Sequence, residues 1–365
     1  MRKQLGFRHY FAIGTVVTAL VLTISFLNER IPTSRGFLSE NWESDDVPSK
    51  SYKRQRKGLL IIGRGRSGTS FLSKMFGSGK RIFEVYEPLR FRNLTNIAKI
   101  EVLKAFLSCN FASSPLWQKD YFPPFWYLKQ KYYFVTPSQH LACLKYRSGS
   151  TRCFPAEQMF TKFIDKCRYS YDSTVLKELT ERLPDTSLSS LIPEIIDRSL
   201  STDIRLLHVV RDPRGSINSR IKLKWMPDYE HPQFKEKVQD YCNGILQNIE
   251  FGLQLNESLQ QRYKLIFYKD IATRPVESAR EVFKFAGLRL SDKTLSWIEN
   301  RTSPSKMDSR RQFKNPYSLV RDSKANIEKW RRESPPERTL IIERICKPLI
   351  ELMEKISIER EYFLI

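Results

Sequence analysis

Leu59-Leu60-Ile61-Ile62-Gly63-Arg64-Gly65-Arg66-Ser67-Gly68-Thr69-Ser70-Phe71-Leu72 joins a short apolar run to a glycine-rich, basic, hydroxyl-rich turn and then to a helix start. Four apolar residues without alternation predict a strand buried on both faces, as in the middle of a parallel sheet. Glycines let backbone N–H groups close around oxygen atoms, and the N-terminus of a helix adds partial positive charge. The turn is therefore read as a pocket for a phosphate-like anion. Gly63 and Gly68 have the spacing of a nucleoside-triphosphate P-loop, but Thr69 stands where that motif needs its lysine. The basic residue comes earlier, at Arg66, so the anion is expected to differ from a triphosphate tail.

The same strand-to-helix plan extends outward. Arg81–Tyr86 predicts a second strand, and the apolar spacing of Asn96–Leu107 predicts a helix. Ile204–Val210 predicts a strand, with Asp212 capping a helix and Pro213 at its first position. Arg262–Tyr268 predicts another, followed by Thr273 as cap, Pro275 near a helix start and Gly287 at its end. Strands separated by helices give an α/β class: a P-loop-like nucleotide-binding domain with a central parallel sheet flanked by helices. Ligands in such sheets sit at the C-terminal strand ends, where both motif-bearing loops fall. The Pro-, aromatic- and cysteine-rich stretch from about 108 to 168 yields no assignment, and no internal repeat is visible.

A second anion motif lies in His208-Val209-Val210-Arg211-Asp212-Pro213-Arg214-Gly215-Ser216-Ile217-Asn218-Ser219. Arg211 leaves a strand end and Ser219 follows two helical turns later, a spacing suited to holding a phosphate between a guanidinium and a hydroxyl. In the first motif Arg66 offers a forked donor, Ser67, Thr69 and Ser70 offer hydroxyls, and Gly65 and Gly68 allow close backbone approach. His208 and Trp330 read as core residues. Two anion sites on one sheet edge suggest a ligand with two separated anionic groups.

On these residues the chain resembles the Golgi carbohydrate 6-O-sulfotransferases. Gly65–Phe71 is similar to the family's 5′-phosphosulfate loop and Arg211–Ser219 to its 3′-phosphate motif. Phe83-Glu84-Val85-Tyr86-Glu87-Pro88-Leu89, Asn315-Pro316-Tyr317-Ser318 and Trp330-Arg331 with Cys346 agree, over about residues 58 to 350. The resemblance implies the sulfotransferase fold and 3′-phosphoadenosine 5′-phosphosulfate (PAPS) as sulfate donor. It implies donor contacts from Gly65, Arg66, Ser67, Gly68, Thr69, Ser70, Phe71, Arg211 and Ser219. Arg66 would stabilise the transferred group, and Glu87 would be the base that takes the acceptor hydroxyl's proton. No metal is required. The departures are Gly65, where the family usually has a hydroxyl residue, and Gly215, where it usually has a bulkier apolar one. The region from about 110 to 200 matches only in its cysteines, so the acceptor stays open among galactose, N-acetylglucosamine and N-acetylgalactosamine 6-hydroxyls.

Composition bounds the rest. A formal charge of +22 over 365 residues attracts polyanions. No zinc finger, RNA-binding sheet motif or basic zipper points to nucleic acid. The charge instead favours an acidic glycan such as chondroitin or keratan. Tyr10–Leu27 carries no charge and follows Arg2, Lys3 and Arg8, which predicts a type II signal anchor. The expected organisation is a cytosolic tail at 1–9, an anchor at 10–27, a stem at 28–57 and a lumenal catalytic domain at 58–365, in the Golgi membrane. Sequons at Asn93, Asn256 and Asn300 and six cysteines without metal-ligand spacing fit an oxidising lumen. Their pairing is not fixed by spacing. Two other functions compete: a nucleotide-dependent kinase, disfavoured by the missing lysine, and a basic glycan-binding membrane protein without turnover, disfavoured by the intact anion motifs.

Overall fold

The computed structural model describes residues 55–90, 94–111, 125–128, 131–135, 141–145, 151–155, 161, 164–196, 201–303, 317–320 and 322–362. Met1–Tyr52 separates as a unit from Lys53–Ile365, and none of it falls among the described residues. The expected anchor at 10–27, the tail and nearly all of the stem therefore lie outside them, as do Asn93, Asn315 and Pro316. Among the described residues no helix is long and apolar enough to cross a membrane.

In chain order the elements that position the site are β1 (Arg56–Gly63), α1 (Thr69–Gly77), β2 (Ile82–Tyr86), α2 (Asn96–Ser108), β3 (Phe125–Leu128), β4 (Lys131–Val135), β5 (Leu141–Lys145), β6 (Thr151–Pro155) and β7 (Ser173–Leu179). They continue with β8 (Thr202–Val210), α3 (Pro213–Lys222), α4 (Phe234–Leu253), β9 (Tyr263–Phe267), α5 (Tyr268–Thr273), α6 (Pro275–Ala286), α7 (Asp292–Thr302), α8 (Pro336–Ile345) and α9 (Lys347–Tyr362). The main sheet has the order β2-β7-β1-β8-β9, and its four pairings are all parallel. A second, antiparallel sheet runs β3-β4-β5-β6 through the stretch that the sequence left unassigned.

The apolar run of β1 lies between β7 and β8 and divides its side chains by parity. Leu60 and Ile62 join one core, with Val102 and Phe106 of α2 and Phe234, Ile245 and Ile249 of α4. Leu59 and Ile61 join the other, with Leu72 and Phe76 of α1 and Val282 and Phe283 of α6. Both faces are covered by helices, which is why the strand could dispense with alternation. Each fully buried aliphatic side chain contributes about 1.5–3 kcal/mol.

Disulfides Cys109–Cys167 and Cys242–Cys346 tie α2 to the approach of β7 and α4 to the end of α8. Cys153 is also disulfide-bonded, and Cys143 is its register partner across β5 and β6.

Two local expectations are corrected. Thr273 does not cap α6. It closes α5, its hydroxyl donating back to the Lys269 carbonyl at 2.8 Å, and Arg274 takes the cap position without a side-chain bond. Tyr268 is not strand but the first residue of α5. In contrast, the Asp212 side chain does cap α3, accepting from the Arg214 N–H at 2.8 Å. Gly287 closes α6 at φ +64°, a left-handed conformation that glycine adopts without steric cost.

Candidate active site

Parallel strands deliver their C-terminal ends to one edge of the sheet, and both anion motifs leave from that edge. The first crosses from β1 to α1 through Arg66 at φ +79° and Gly68 at φ +100°. Left-handed residues inside such a turn aim successive N–H groups at one point. Gly68 is required twice: by its φ, and because a Cβ there would come within 2.7 Å of the Tyr268 ring. At Gly63 a Cβ would collide with the Val209 carbonyl of β8, so the strand end admits no side chain.

The second motif leaves β8. Arg211 lays its guanidinium 4.4 Å over the Tyr268 ring and donates to the Arg66 carbonyl at 3.2 Å and the Asn326 carbonyl at 3.3 Å. Asn326 in turn donates to the Tyr268 hydroxyl at 2.7 Å. Ser219, on α3, accepts from Nε of Arg66 at 2.9 Å. Residues 153 positions apart are thus in direct contact. The two motifs form one site.

The resulting cavity holds about 580 Å³, within the ordinary range for a small-molecule site. Gly65, Arg66, Gly68, Thr69, Ser70, Phe71, Glu87 and Arg211 line it, together with Lys74, Tyr86, Arg90, Lys177, Arg182, Tyr268 and Arg301. Seven basic side chains face it against one carboxylate, so the cavity is built for a polyanion. Ser67 and Ser219 do not line it. Ser67 is buried beneath the turn with its hydroxyl against Gly63, and Ser219 is half-buried with its hydroxyl bonded to Nε of Arg66. Ser70 does face the cavity, sharing a 2.8 Å hydrogen bond with the Tyr86 hydroxyl. Among the described residues no group of three or more His, Cys, Asp or Glu could hold a metal ion.

Glu87 stands at the end of β2 with φ +50°, a left-handed conformation that costs a non-glycine residue about 1–2 kcal/mol. Its N–H donates to the Lys177 carbonyl of β7 at 2.7 Å. The Lys177 ammonium bonds one carboxylate oxygen, Arg182 bonds the other at 2.7 Å, and Arg90 lies 3.7 Å away. Burial alone would raise the Glu87 carboxyl, but the Lys177 and Arg182 charges outweigh it and hold it at about 2. Lys177 is 1% exposed and its ammonium is pushed down by that burial, with Glu87 opposing the shift. Of the three cationic partners of Glu87, Arg90 is near it in sequence, whereas Lys177 and Arg182 come from β7 and the turn after it. Lys177 and Glu178 break the apolar pattern of that strand, yet both are buried, so the charge signal pointed away from the core. Two charged residues inside Ser173–Leu179 were the available clue.

His208 and Trp330 sit where the sequence placed them, in the core. His208 is buried, contacts the Tyr263 hydroxyl at 2.9 Å and is pushed down to about 3 by desolvation. Trp330 is buried, with the guanidinium groups of Arg214 at 4.6 Å and Arg331 at 4.5 Å from its ring.

Residues 56–357 match the family model described as the sulfotransferase domain. The chain belongs to the sulfotransferase family. This sulfotransferase is 26% identical to "Carbohydrate sulfotransferase 3" of Mus musculus, with 81% of this chain and 67% of that protein covered. It is likewise 26% identical to "Carbohydrate sulfotransferase 1" of Danio rerio, covering 84% of this chain and 80% of the relative. Among solved structures, mouse sulfotransferase SULT7A1 complexed with PAP aligns over 86% of this chain and 89% of its own, at 13% identity and a TM-score of 0.41. The sulfotransferase domain of the curacin biosynthetic pathway aligns over 81% of this chain and 98% of its own, at 15% identity and a TM-score of 0.42.

Proposed function

We propose that this sulfotransferase moves a sulfuryl group from PAPS to the 6-hydroxyl of a sugar residue in a glycan or glycosaminoglycan. The observation that carries this reading is the Arg66–Ser219 contact. It joins a loop suited to a phosphosulfate to a helical serine that, with the strand-end arginine, suits a separate phosphate at the border of the cationic cavity. The relatives named carbohydrate sulfotransferases support a sugar acceptor.

In the transfer, the acceptor oxygen forms a bond to sulfur as the bond from sulfur to the bridging phosphate oxygen breaks. The leaving 3′,5′-bisphosphate keeps that electron pair. Arg66 and the N–H groups of the turn neutralise charge on the transferred group and the leaving oxygen. Arg211 and Ser219 hold the 3′-phosphate, with Arg66 exchanging its Ser219 contact for the donor. Ser67 then acts through the loop's conformation, because its hydroxyl is turned inward.

Glu87 takes the acceptor's proton. A carboxylate held at about 2 is a weak base for a free alcohol. The proton becomes strongly acidic as the O–S bond forms, so the weak base suits a late proton transfer. Both Glu87 oxygens carry a cationic partner, and one must give way to the proton.

The same reading places the domain in the Golgi lumen on a single anchor. Asn256 and Asn300 are exposed, consistent with glycan attachment. Asn256 caps its helix through Oδ1, accepting from the Leu259 N–H at 3.1 Å, which leaves Nδ2 for the glycan. The kinase reading has less support, because the cavity's basic loop residue is Arg66.

The test is transfer of labelled sulfate from PAPS by the full-length chain to a panel of galactose-, N-acetylglucosamine- and N-acetylgalactosamine-bearing oligosaccharides, with the product linkage read by NMR. A 6-sulfated product is expected. Sulfate on another position would overturn the regiochemistry, and phosphate transfer from ATP in its place would overturn the donor.

A further inference from the structure

Among the described residues, seven large apolar or aromatic side chains are exposed, and two of them line the cavity: Trp225, 45% exposed, and Tyr317, 58% exposed. Their rings stand 6.4 Å apart, tilted by 41°. Tyr317 also lies 5.7 Å from the Arg66 guanidinium, so the pair borders the centre of the proposed transfer.

Trp225 is held in place although nearly half of it faces solvent. Its N–H donates to the Arg220 carbonyl at 2.9 Å, and Lys224 before it sits at φ +58°. That left-handed lysine turns the chain back so that the indole lies over the donor loop. The Arg220 guanidinium lies 5.8 Å from the indole and 5.1 Å from Tyr241. Arg220 is itself fixed to Glu181 at 2.8 Å and to the Gly65 carbonyl at 3.2 Å, while Glu181 accepts from the Gly65 N–H at 3.2 Å. The indole is therefore mounted on the same ion pair that clamps the donor loop. Backbone strain and a rigid mount spent on an exposed ring point to a ligand, because burial gains little there.

The flank it occupies identifies the ligand. A Cβ at Gly65 would meet the indole edge at 3.1 Å and the Glu181 carboxylate at 3.7 Å. Glu181 follows β7, the strand that also brings Lys177 against Glu87. The opposite flank, after β9, belongs to Tyr268 and the Arg211 stacked on it. The indole thus rests on the β7 side of the loop, the side that also carries the proposed base, and apart from the Arg211–Tyr268 stack, with Ser219 next to its Arg220 mount.

We infer that Trp225 and Tyr317 form the platform on which a pyranose ring of the acceptor stacks, its hydroxyl directed toward Glu87. The inference rests on the proposed sulfate transfer and deepens it. The apolar C–H face of a pyranose fits a flat exposed indole. Exposed Lys224 and partly exposed Arg90 and Arg182 offer polar and charged partners around the ring.

The test compares full-length wild type with Trp225→Ala, Trp225→Phe and Trp225→Leu. Binding of PAP and of two oligosaccharides, a chondroitin hexasaccharide and a hexasaccharide of N-acetyllactosamine repeats, is measured directly by calorimetry, and acceptor and donor KM are taken from turnover. Trp225→Ala is expected to weaken binding of the preferred oligosaccharide at least tenfold and to raise the acceptor KM alike, with PAP affinity kept within twofold. Trp225→Phe should recover part of the loss and Trp225→Leu little, since the ring face matters more than bulk. Unchanged oligosaccharide binding in Trp225→Ala would overturn the platform, as would a fall confined to PAP, which would give the ring to the donor. Failure of the wild type to bind either oligosaccharide also overturns it. Failure of the wild type to bind PAP strikes the sulfate-transfer reading instead, so the two failures are distinguishable.

Discussion

Replacing Glu87 by glutamine separates its role in chemistry from its role in the fold. The carboxylate is the direct partner of the Lys177 ammonium, which is 1% exposed, and it also engages Arg182 at 2.7 Å. Glutamine keeps the shape and removes the charge, leaving an ammonium buried without its carboxylate. Breaking one side of such a pair costs about 3–5 kcal/mol. At roughly 2–4 °C per kcal/mol, the melting temperature should fall by on the order of 10 °C.

Loss of turnover in Glu87→Gln alone would therefore be ambiguous. The double variant Glu87→Gln with Lys177→Met removes the stranded charge together with its partner, so no buried ammonium is left without a carboxylate. The double variant is expected to regain most of the lost stability, a coupling of about 2 kcal/mol or more in the cycle. Turnover should stay at least 100-fold down, in line with the usual contribution of a positioned base. Differential scanning calorimetry and sulfate-transfer assays on the full-length proteins give both numbers. Wild-type turnover in the double variant would refute the base assignment. A melting temperature for Glu87→Gln equal to that of the wild type would refute the energetic reading of the pair.

Arg66→Ala should abolish transfer and weaken PAP binding by about 30-fold or more, in keeping with about 2–4 kcal/mol for a charged donor at a developing anion; calorimetry with undiminished PAP affinity would contradict the donor-loop assignment. Ser219→Ala should cost about tenfold in affinity for 3′,5′-ADP, close to 1.4 kcal/mol for one hydroxyl contact, and almost nothing for 5′-ADP. Equal losses for both ligands would remove Ser219 from the 3′-phosphate site. His208 is buried neutral with its imidazole at about 3 against an ordinary 6.5. The unfolded chain takes up a proton that the folded one refuses, so stability falls as pH drops from about 6.5 toward 3, by about 1.4 kcal/mol per unit. Denaturant titrations should show that slope in the wild type and less of it in His208→Gln. Glu87 adds to the acid loss lower down, between its ordinary 4.5 and about 2, so His208 acts alone from about 6.5 to 4.5 and the two overlap below that.

The readable parts of this chain share one property: each is set by neighbours in sequence. The β1-to-α1 turn, the Asp212 cap with Pro213 behind it, and the Gly287 stop depend on φ preferences and hydrogen bonds within a few residues. They were legible for that reason. Thr273 shows how narrow the margin is, because one added helical turn at Tyr268 moved the boundary and gave its hydroxyl to the Lys269 carbonyl instead. Ser67 and Thr69 look equivalent in sequence, yet the fold buries the Ser67 hydroxyl against Gly63 while Thr69 lines the cavity.

The sequence by itself determined an anion loop after a central strand, a second anion motif on a parallel neighbour, and the α/β class that puts both on one edge. Only the tertiary structure decided that β7 enters between β2 and β1. Parallel neighbours are joined by long crossovers, so pairing order is fixed by packing across the whole chain, which no local pattern encodes. That insertion carries Lys177 and Arg182 to Glu87 and lowers its carboxyl, and it brings Glu181 beneath Gly65, where with Arg220 it mounts Trp225 over the loop. Arg66 and Ser219 were named from separate motifs. Their meeting at 2.9 Å is a fact of the folded sheet alone.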